Sequence, residues 1–423
     1  MSQAKSVITC DLEGRIETFN QGAEEIFGYR SEEVIGRKRV SLFSPGLIVL
    51  AHVQNWLKVA REQGEFAGRT VFVRRDGTLF AADVRITPTF RHGQQIGYCG
   101  VTTPRPDVPV AQAMPGVSLA TRLFSWMVIT RAPFLTATLV PVIAGGVWAS
   151  IQTDHFAWGL FWMVLLGALA LQVAANTFND YFDWKSGADK INNGYFMPYS
   201  GGSRSVELRL ISERALLEVA WVALGVAIAA GLPFLFLRGP LLLVFGAIGA
   251  FSVYFYTAPP LRLAARNGLG EFIVGMNFGP LMTAGAFFAL TGELTWQSFL
   301  VGLPIGLLTT AILWVNQFPD MEADRMSGKH NLVVMLGRER ARWGYLLVVG
   351  AAFVILALGI AVGALPLGAL LALLAAPLAI YTSRILFRHY NDRALIQANA
   401  NTILLHLVAG LLLAAGLLLG ANL

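Results

Sequence analysis

Nine apolar runs in the second part of the chain constrain its fold more than any other feature. They lie near residues 134–151, 156–178, 213–237, 240–257, 269–290, 297–318, 343–364, 366–387 and 396–420. Each is close to the roughly 20 residues that a helix needs to cross the hydrocarbon core of a bilayer. Because backbone polar groups in lipid must bond within their own segment, the runs predict an all-α membrane bundle of nine transmembrane helices around a central cavity.

The composition agrees with a membrane protein. Hydrophobic residues occupy 55% of the 423 positions and charged residues only 14%, a balance that is unusual for a soluble globular chain. The formal net charge is +6, which raises the question of a nucleic-acid partner. The basic residues after the first hundred positions lie mostly in short loops between apolar runs, where membrane topology explains them better. We therefore expect no nucleic-acid partner.

The basic residues also predict how the bundle is oriented. The loops at 179–214, 258–268, 319–342 and 384–393 hold 15 Lys and Arg residues, whereas the loops of the opposite face hold only Arg238. Loops rich in Lys and Arg usually stay in the cytoplasm. We expect a multi-pass protein of the cell inner (cytoplasmic) membrane, with these loops and the N-terminal domain on the cytoplasmic side.

Residues 1–104 contain no long apolar run and are predicted to form a separate soluble domain. Short β-like runs alternate with a helical patch, and the turns between them lie at Glu13-Gly14, Asp76-Gly77 and His92-Gly93. This order, together with the sequences DLEGRIETFNQGAEEIFGYRSEEVIG and RRDGTLFAADV, resembles a PAS domain. The resemblance implies a small α+β domain with a five-stranded antiparallel sheet, acting as a cytoplasmic module that senses a ligand or forms a homodimer.

The ligand of the PAS-like domain stays unknown from the sequence. There is no reactive-cysteine flavin motif, and His52 and His92 do not occupy the expected place of a haem ligand. Cys10 and Cys99 form no CxxC pair, so neither a disulfide scaffold nor a zinc site is expected. The proline-rich residues 105–118 are predicted to be a linker, which leaves 119–423 as the membrane domain.

Two acidic stretches lie where predicted spans end. NTFNDYFDWKSGAD runs from Asn176 to Asp189, and NQFPDMEADRMSGK runs from Asn316 to Lys329. Carboxylates at the edge of a membrane are costly unless cations offset them. In a helix Asn316, Asp320 and Asp324 fall on one face. Brought together, the two stretches would form an all-oxygen site suited to Mg²⁺, which commonly binds through a few carboxylates plus substrate phosphates.

The two stretches look like the paired aspartate-rich motifs of the UbiA superfamily of intramembrane prenyltransferases. Between them, GGSRSVELRLIS (201–212) and YTAPPLRLAARNGLGE (256–271) resemble the branch that prenylates 1,4-dihydroxy-2-naphthoate in menaquinone biosynthesis. The resemblance covers roughly residue 129 to the C-terminus. It implies a Mg²⁺-dependent enzyme that moves a polyprenyl group from a polyprenyl diphosphate to an aromatic acceptor, and thus a transferase of alkyl or aryl groups other than methyl.

The resemblance also implies roles for individual residues. The residues expected to bind the metal are Asn179, Asp180, Asp183, Asp189, Asn316, Asp320 and Asp324. Those expected to promote departure of the diphosphate are Asp183, Asp320, Asp324 and Lys329. Those expected to contact a substrate are Asn176, Lys190, Arg204, Tyr256 and Arg262. Since a free carbocation would react with water, a lid is implied, and loop 192–205 is the candidate.

Two positions depart from the family pattern. Pro319 stands where an arginine is expected before Asp320, and Asn331 stands where a threonine or serine is expected after the Gly-Lys pair. These differences weaken the naphthoate assignment more than the assignment of prenyl transfer. Other acceptors therefore stay open, namely 4-hydroxybenzoate, homogentisate, chlorophyllide, haem and a glycerol-phosphate lipid.

Two functions of other classes compete with prenyl transfer. In the first, the helical part is a non-catalytic receptor for a quinone or prenyl lipid that signals through the PAS-like domain; the intact acidic motifs argue against it. In the second, the acids serve a cation transporter. Binding sites in transporters lie near the midplane of the bilayer, whereas both acidic stretches are predicted at one face.

Overall fold

The computed structural model describes residues 5–192 and 194–420. The chain forms two compact units. The first consists of the N-terminal part up to Ile129 together with Arg204–Ser212, and the second of Thr130–Ser203 together with the chain from Glu213 onward. A short piece of the loop between two apolar helices therefore belongs to the N-terminal unit.

The first unit is built on the five-stranded antiparallel sheet that the sequence predicts. Its strands are β1 Ser6–Asp11, β2 Ile16–Phe19, β3 Phe66–Val73, β4 Leu79–Arg91 and β5 Gln94–Pro104. They lie in the order β2-β1-β5-β4-β3, with antiparallel pairing throughout. His92 and Gly93 connect β4 to β5, and both have positive φ, 49° and 77°, as the tight turn of a two-residue hairpin requires.

Short helices complete this unit. They are α1 Gln21–Phe27, α2 Ser31–Val34, α3 Gly46–Ile48, α4 Gln54–Gln63, α5 Val110–Ala113 and α6 Leu119–Ile129, with further turns of helix at Val40–Phe43 and Val49–Val53. The Asn20 side chain begins α1 by accepting a hydrogen bond from the Ala23 N–H at 2.8 Å, a common N-terminal cap. Aromatic rings of Phe27, Phe43 and Phe72 lie in the buried core between helices and sheet.

The two cysteines lie on neighbouring strands but on opposite faces of the sheet. Cys99 pairs with Thr9 and Cys10 pairs with Tyr98, and side chains alternate faces along a strand. Cys10 is buried, and burial raises the pKa of its thiol to about 12. The geometry thus keeps the thiols apart and the buried one protonated at neutral pH.

The regular secondary structure described in the second unit is helical. Its helices are α7 Thr136–Ser150, α8 Trp158–Ser186, α9 Ala188–Ile191, α10 Glu213–Arg238, α11 Leu241–Phe255, α12 Leu269–Met276, α13 Met282–Thr291, α14 Trp296–Met326, α15 Leu332–Ala361, α16 Ala376–His389 and α17 Ile396–Gly420. Short 3₁₀ or π turns occur at Ala132–Leu135, Leu263–Ala265, Asn277–Leu281, Leu367–Ala375 and Arg393–Leu395.

Within the described residues, eight helical segments are long and apolar enough to cross a membrane. They are Ala132–Ser150, Trp158–Ser186, Glu213–Arg238, Leu269–Thr291, Trp296–Met326, Leu332–Ala361, Leu367–His389 and Arg393–Gly420. The prediction of nine spans is thus confirmed for eight. The remaining run, 240–257, forms α11, which has 15 residues and at 1.5 Å per residue is about 22 Å long. Pro259 and Pro260 follow it closely, and proline cannot continue a helix interior.

The central helix of the second unit is α14, the most buried of the candidate spans. It crosses the α12–α13 segment through two facing glycine pairs, Gly275/Gly279 and Gly302/Gly306. A Cβ built on Gly306 would lie 2.2 Å from the Gly275 carbonyl oxygen, and one on Gly279 would lie 2.4 Å from the Gly306 Cα. Small residues four apart let membrane helices approach closely, so this crossing fixes α14 against its neighbours.

Candidate active site

A cavity of about 780 Å³ lies inside the second unit. Apolar and small residues of α8, α10, α11 and α13 line much of it, among them Gly167, Leu224, Phe245 and Gly285. Polar side chains from the two acidic stretches also line the cavity. A chamber that combines a long apolar wall with a few convergent polar groups suits a ligand with an apolar tail and a charged head.

Most of the site residues inferred from the sequence line this cavity. They are Asn176, Asn179, Asp183, Asp189, Tyr256, Asn316, Asp320, Asp324 and Lys329. They lie near the C-terminal ends of α8 and α14, in α9 and in the turns that follow α11 and α14. The two acidic stretches, far apart in the sequence, therefore meet at the wall of one chamber.

The helical spacing explains why these side chains face the same way. Asn316, Asp320 and Asp324 are each one turn apart on α14, and such residues share a helix face. Helix α8 ends at Gly187, whose φ of 82° turns the backbone out of the helix, as is usual for a C-terminal glycine. The turn leads directly into α9, where Asp189 is buried.

Lys329 joins the two acidic stretches. Its Nζ donates to Asp183 Oδ2 at 3.0 Å and lies 3.5 Å from Asp324 Oδ1. Burial alone would lower the pKa of Lys329, but the carboxylates of Asp183 and Asp324 outweigh it and raise the pKa above its ordinary value. One ammonium group thus bridges the carboxylates of α8 and α14.

The loop after α9 holds Asp320. Asn192 Nδ2 donates to Asp320 Oδ1 at 2.6 Å, and the Gly201 N–H donates to Oδ2 at 2.9 Å. This loop is the candidate lid, 192–205, of which Asn193 lies outside the described residues. The contacts tie it directly to one of the aspartates expected to bind the metal.

Gly202 lies against two further carboxylates. A Cβ at this position would lie 2.9 Å from Asp180 Oδ1 and 3.4 Å from Asp189 Oδ1, and the φ of Gly202 is +72°. A side chain here would meet both a positive φ and the carboxylate oxygens. Glycine alone satisfies the two conditions, so its absent side chain leaves room beside the acids.

Asp180 is buried but does not line the cavity. Its Oδ2 accepts from the Ser203 N–H at 3.2 Å, and its Oδ1 lies 3.7 Å from Arg131 Nη1. Arg131 Nη1 also donates to Asn179 Oδ1 at 3.3 Å, and Arg131 lines the cavity. The sequence analysis did not select this arginine; its position just before the first predicted span was the only available signal.

Three of the residues expected to contact a substrate do not line the cavity either. Lys190 Nζ lies 4.6 Å from the centre of the Trp184 ring, Arg204 Nη1 donates to Glu207 Oε2 at 2.9 Å, and Arg262 has a φ of 45° at the start of a 3₁₀ turn. Their contacts with a substrate stay predictions.

Amide side chains that the sequence analysis did not select as site residues hold predicted site residues in place. Gln172 Nε2 donates to Asn176 Oδ1 at 3.2 Å. Asn399 Nδ2, on α17, donates to Asn316 Oδ1 at 2.7 Å. Asn331, noted as a departure from the family pattern, donates through Nδ2 to Asp324 Oδ2 at 2.7 Å. The departure therefore still supplies a hydrogen-bond donor to the second acidic stretch.

Glu271 connects the turn after α14 to the α12 segment. It is buried, and its Oε1 accepts from Gln317 Nε2 at 3.1 Å and from the Leu332 N–H at 2.8 Å. A buried carboxylate that accepts two hydrogen bonds is strongly held. Glu271 therefore fixes the N-terminus of α15 against α14, close in sequence to Lys329.

No three His, Cys, Asp or Glu side chains among residues 5–192 and 194–420 are grouped as a ready-made metal site. Lysine and amide donors instead contact the carboxylates. The donor chemistry nevertheless fits Mg²⁺, because every candidate ligand is an oxygen and Asp180 Oδ1 is buried without accepting a hydrogen bond from a described residue. Mg²⁺ usually keeps several waters and binds one or two carboxylates together with substrate phosphates, so it needs no dense cluster of protein ligands.

The helical bundle and its acid-lined cavity define an intramembrane enzyme class, and comparison with known families gives the same class. The model of the UbiA prenyltransferase family matches residues 138–408. A PAS domain model matches residues 4–102. The chain belongs to the UbiA prenyltransferase family and carries an N-terminal PAS domain.

Two relatives and one solved structure illustrate the similarity to this family. The 2-carboxy-1,4-naphthoquinone phytyltransferase of Synechocystis is 30% identical over 309 residues, which cover 71% of this chain and 95% of that protein. The 1,4-dihydroxy-2-naphthoate octaprenyltransferase of Bacillus subtilis is 30% identical over 215 residues, which cover 50% of this chain and 66% of that protein. The apo structure of a UbiA homologue from Aeropyrum pernix has the same fold, with a TM-score of 0.50 and 17% identity over 67% of this chain and 97% of its own.

Proposed function

We propose that this protein transfers a polyprenyl group from a polyprenyl diphosphate to 1,4-dihydroxy-2-naphthoate in menaquinone biosynthesis. The observation that carries the proposal is the meeting of both acidic stretches at one apolar cavity, where Lys329 lies 3.0 Å from Asp183 and 3.5 Å from Asp324. The two relatives described above are named for enzymes of naphthoate prenylation. Their names support the choice of acceptor.

The cavity separates the two parts of a prenyl diphosphate. Its apolar wall, from Gly167 on α8 to Gly285 on α13, takes the tail. The polar groups take the diphosphate. Lys329 and Arg131 line the cavity and offset part of the negative charge of the diphosphate.

The reaction begins when the bond between the allylic carbon and the diphosphate oxygen breaks. The electron pair leaves with the diphosphate, so negative charge grows on the leaving oxygen. Lys329 and Arg131 are already charged and held in place, and preorganised donors of this kind stabilise charge that develops in the transition state. Mg²⁺, when bound by the aspartates and asparagines of the two stretches, would supply further Lewis-acid stabilisation of the diphosphate.

The acceptor ring then forms a carbon–carbon bond with the allylic cation. With a dihydroxynaphthoate, the carboxylate leaves as CO₂ and the ring regains its aromaticity. Tyr256 lines the cavity, and the face of a tyrosine ring attracts a cation. The loop held on Asp320 by Asn192 and Gly201 is placed to exclude water, which would otherwise capture the cation.

We propose that α11 completes a ninth crossing of the membrane. The α8 and α14 ends meet through Lys329, whereas Arg238, at the end of α10, donates to the Ala289 and Leu290 carbonyls at the end of α13. These contacts support a return of the chain from Arg238 to Tyr256 through α11. A short apolar helix can do so where the bilayer thins or flanking residues complete the span. With the basic loops inside, the site and the PAS domain face the cytoplasm.

Incubation of the full-length protein in membranes with radiolabelled polyprenyl diphosphates and a panel of acceptors tests the function. We expect a labelled prenyl naphthalene-1,4-diol and release of CO₂ with 1,4-dihydroxy-2-naphthoate, and no product when EDTA removes divalent ions. Product from 4-hydroxybenzoate or homogentisate alone would overturn the choice of acceptor but keep prenyl transfer. No product from any acceptor with Mg²⁺ present would overturn prenyl transfer itself.

A further inference from the structure

One loop of the membrane domain is shared between the two units. The second unit includes the chain through Ser203 and resumes at Glu213, while Arg204–Ser212 belongs to the first unit. We call Arg204–Ser212 the strap. By sequence it lies inside the part that matches the UbiA family, 138–408, and far outside the part that matches a PAS domain, 4–102. A segment of the prenyltransferase domain therefore folds with the PAS domain.

Backbone packing attaches the strap to the PAS domain. A Cβ at Gly46 would lie 2.2 Å from the Leu208 carbonyl oxygen and 2.7 Å from Leu210 Cδ2. Such close approach is available only to a residue without a side chain. Leu208 is buried, so the strap is seated against Gly46 with its leucine covered.

Polar contacts add to this packing. Lys38 Nζ lies 3.2 Å from Glu207 Oε1, and these side chains are only 25% and 16% exposed. Arg209 Nη2 donates to the Arg74 carbonyl at 3.3 Å. Arg209 has a φ of 58°, which is rare for a residue other than glycine and persists only where its surroundings enforce it. The strap conformation thus depends on the PAS domain around it.

The residues that directly precede the strap contact the aspartates of the candidate active site. The Ser203 N–H donates to Asp180 at 3.2 Å, the Gly201 N–H donates to Asp320 at 2.9 Å, and Gly202 leaves room beside Asp180 and Asp189. Only one peptide bond separates Ser203 from the strap. Successive Cα atoms are 3.8 Å apart, so a shift of the strap reaches these donors within three residues.

We propose that the PAS domain positions the active-site loop through the strap, with Lys38 and Gly46 as positioning residues for the aspartates. This inference rests on the proposed prenyl transfer. Release of the strap would free the backbone donors at Gly201 and Ser203, and Asp180 and Asp320 would lose their orientation. Misplacement of catalytic groups by about 1 Å can cost about 100-fold in rate, so the PAS domain sets the catalytic efficiency of the membrane domain.

The test uses the full-length protein in membranes and two independent ways of releasing the strap. Gly46→Ala places a Cβ against the Leu208 carbonyl, whereas its matched control Gly116→Ala meets no atom within 4 Å. Lys38→Glu sets a like charge against Glu207, Lys38→Arg keeps the ion pair, and Lys58→Glu reverses an exposed charge elsewhere on the PAS domain. Each variant is assayed for kcat and KM with the prenyl diphosphate, for Tm, and for trypsin cleavage after Arg209.

We expect Gly46→Ala and Lys38→Glu to lower kcat/KM by about 10-fold or more, mainly through kcat, and to expose Arg209 to trypsin with little change in Tm. Lys38→Arg and both controls should match the wild type. Cleavage at Arg209 with unchanged kcat/KM would overturn the proposal, as would a strap that stays protected in both releasing variants. If the wild type forms no product, the proposed function fails, while trypsin cleavage still decides whether Lys38 and Gly46 hold the strap.

Discussion

At the scale of single residues, the arrangement of the acids depends on a glycine as much as on the carboxylates. Gly202 has a φ of +72° and would place a Cβ 2.9 Å from Asp180 Oδ1. Replacing it therefore combines backbone strain with a clash at the site. The chain offers a control that separates these effects, because Gly187 has a φ of +82° and no atom within 4 Å of its Cβ position.

Gly202→Ala should lose much more activity than Gly187→Ala. Both variants carry a left-handed alanine, which costs about 1 kcal/mol, so their loss of stability should be similar. Only Gly202→Ala displaces the carboxylates, and we expect its kcat/KM to fall by about 100-fold. Prenyl transfer and Tm of both variants provide the measurement. Equal activities in the two variants would show that the space beside Asp180 is unimportant.

Lys329→Met removes a side chain that bridges Asp183 and Asp324. The three side chains are 13% to 16% exposed, and leaving buried carboxylates without their partner costs about 3 kcal/mol or more. We expect a lower Tm and transfer reduced at least about 100-fold. Lys185→Met is the matched control, since Lys185 pairs with Glu213 on an exposed surface. Wild-type transfer by Lys329→Met would remove the lysine from the mechanism.

The sequence predicts the acids better than it predicts their partners. Asp183, Asp320 and Asp324 could be selected because their spacing follows the helix and their charges are costly near lipid. Asn399 could not, because it meets Asn316 from a different helix, 83 residues later. Gly202 could be found as part of a family-like motif, but its spatial role depends on a φ and a contact that spacing does not reveal.

At the scale of elements, helix length decided which of the predicted membrane spans were confirmed. Long apolar runs gave eight helices of spanning length, because such runs have few other stable structures in lipid. The run at 240–257 gave only the 15-residue α11, since hydropathy does not register where the following prolines stop the helix. The facing GxxxG pairs of α12–α13 and α14 were visible as spacings, but their partnership required the fold.

Gly306→Leu should prevent this crossing from forming. A side chain at Gly306 would overlap the Gly275 carbonyl oxygen, 2.2 Å from its Cβ position, and backbone atoms cannot move aside without separating the helices. We expect little folded protein after extraction in detergent. Gly350→Leu on α15 is the control, because no atom lies within 4 Å of that Cβ position. Fluorescence-detected size-exclusion chromatography compares the yields, and equal yields would contradict the packing argument.

At the scale of the whole molecule, hydropathy and charge predicted a soluble domain followed by a membrane domain. Two compact units exist, but Arg204–Ser212 folds with the first one. Prediction from sequence assigns each segment to the domain that flanks it in the chain. It therefore cannot predict that a segment of the membrane domain folds with the PAS domain. The contacts that decide it, such as Lys38 with Glu207 across 169 positions, involve residues with no local signal.

The proposed topology places exposed residues on defined sides of the membrane. In a background with Cys10 and Cys99 replaced by serine, Asp154→Cys should react with a membrane-impermeant maleimide in spheroplasts. Glu322→Cys and Asn267→Cys should react only after permeabilisation, because positively charged loops remain inside. Asn267 follows α11, so labelling there from the outside would show that α11 does not return the chain. Labelling of Glu322→Cys from the outside would reverse the whole orientation.

The Mg²⁺ dependence of prenyl transfer in Asp183→Asn and Asp320→Asn tests the convergence of the two acidic stretches most directly. Asp183→Asn removes a carboxylate charge from α8, and Asp320→Asn removes one from α14. The control Glu322→Gln removes an exposed charge from the second acidic stretch. We expect each asparagine variant to lose at least about 100-fold in kcat/KM and to require more Mg²⁺, with Glu322→Gln unchanged. Transfer at the wild-type rate and Mg²⁺ requirement in either asparagine variant would contradict a shared site.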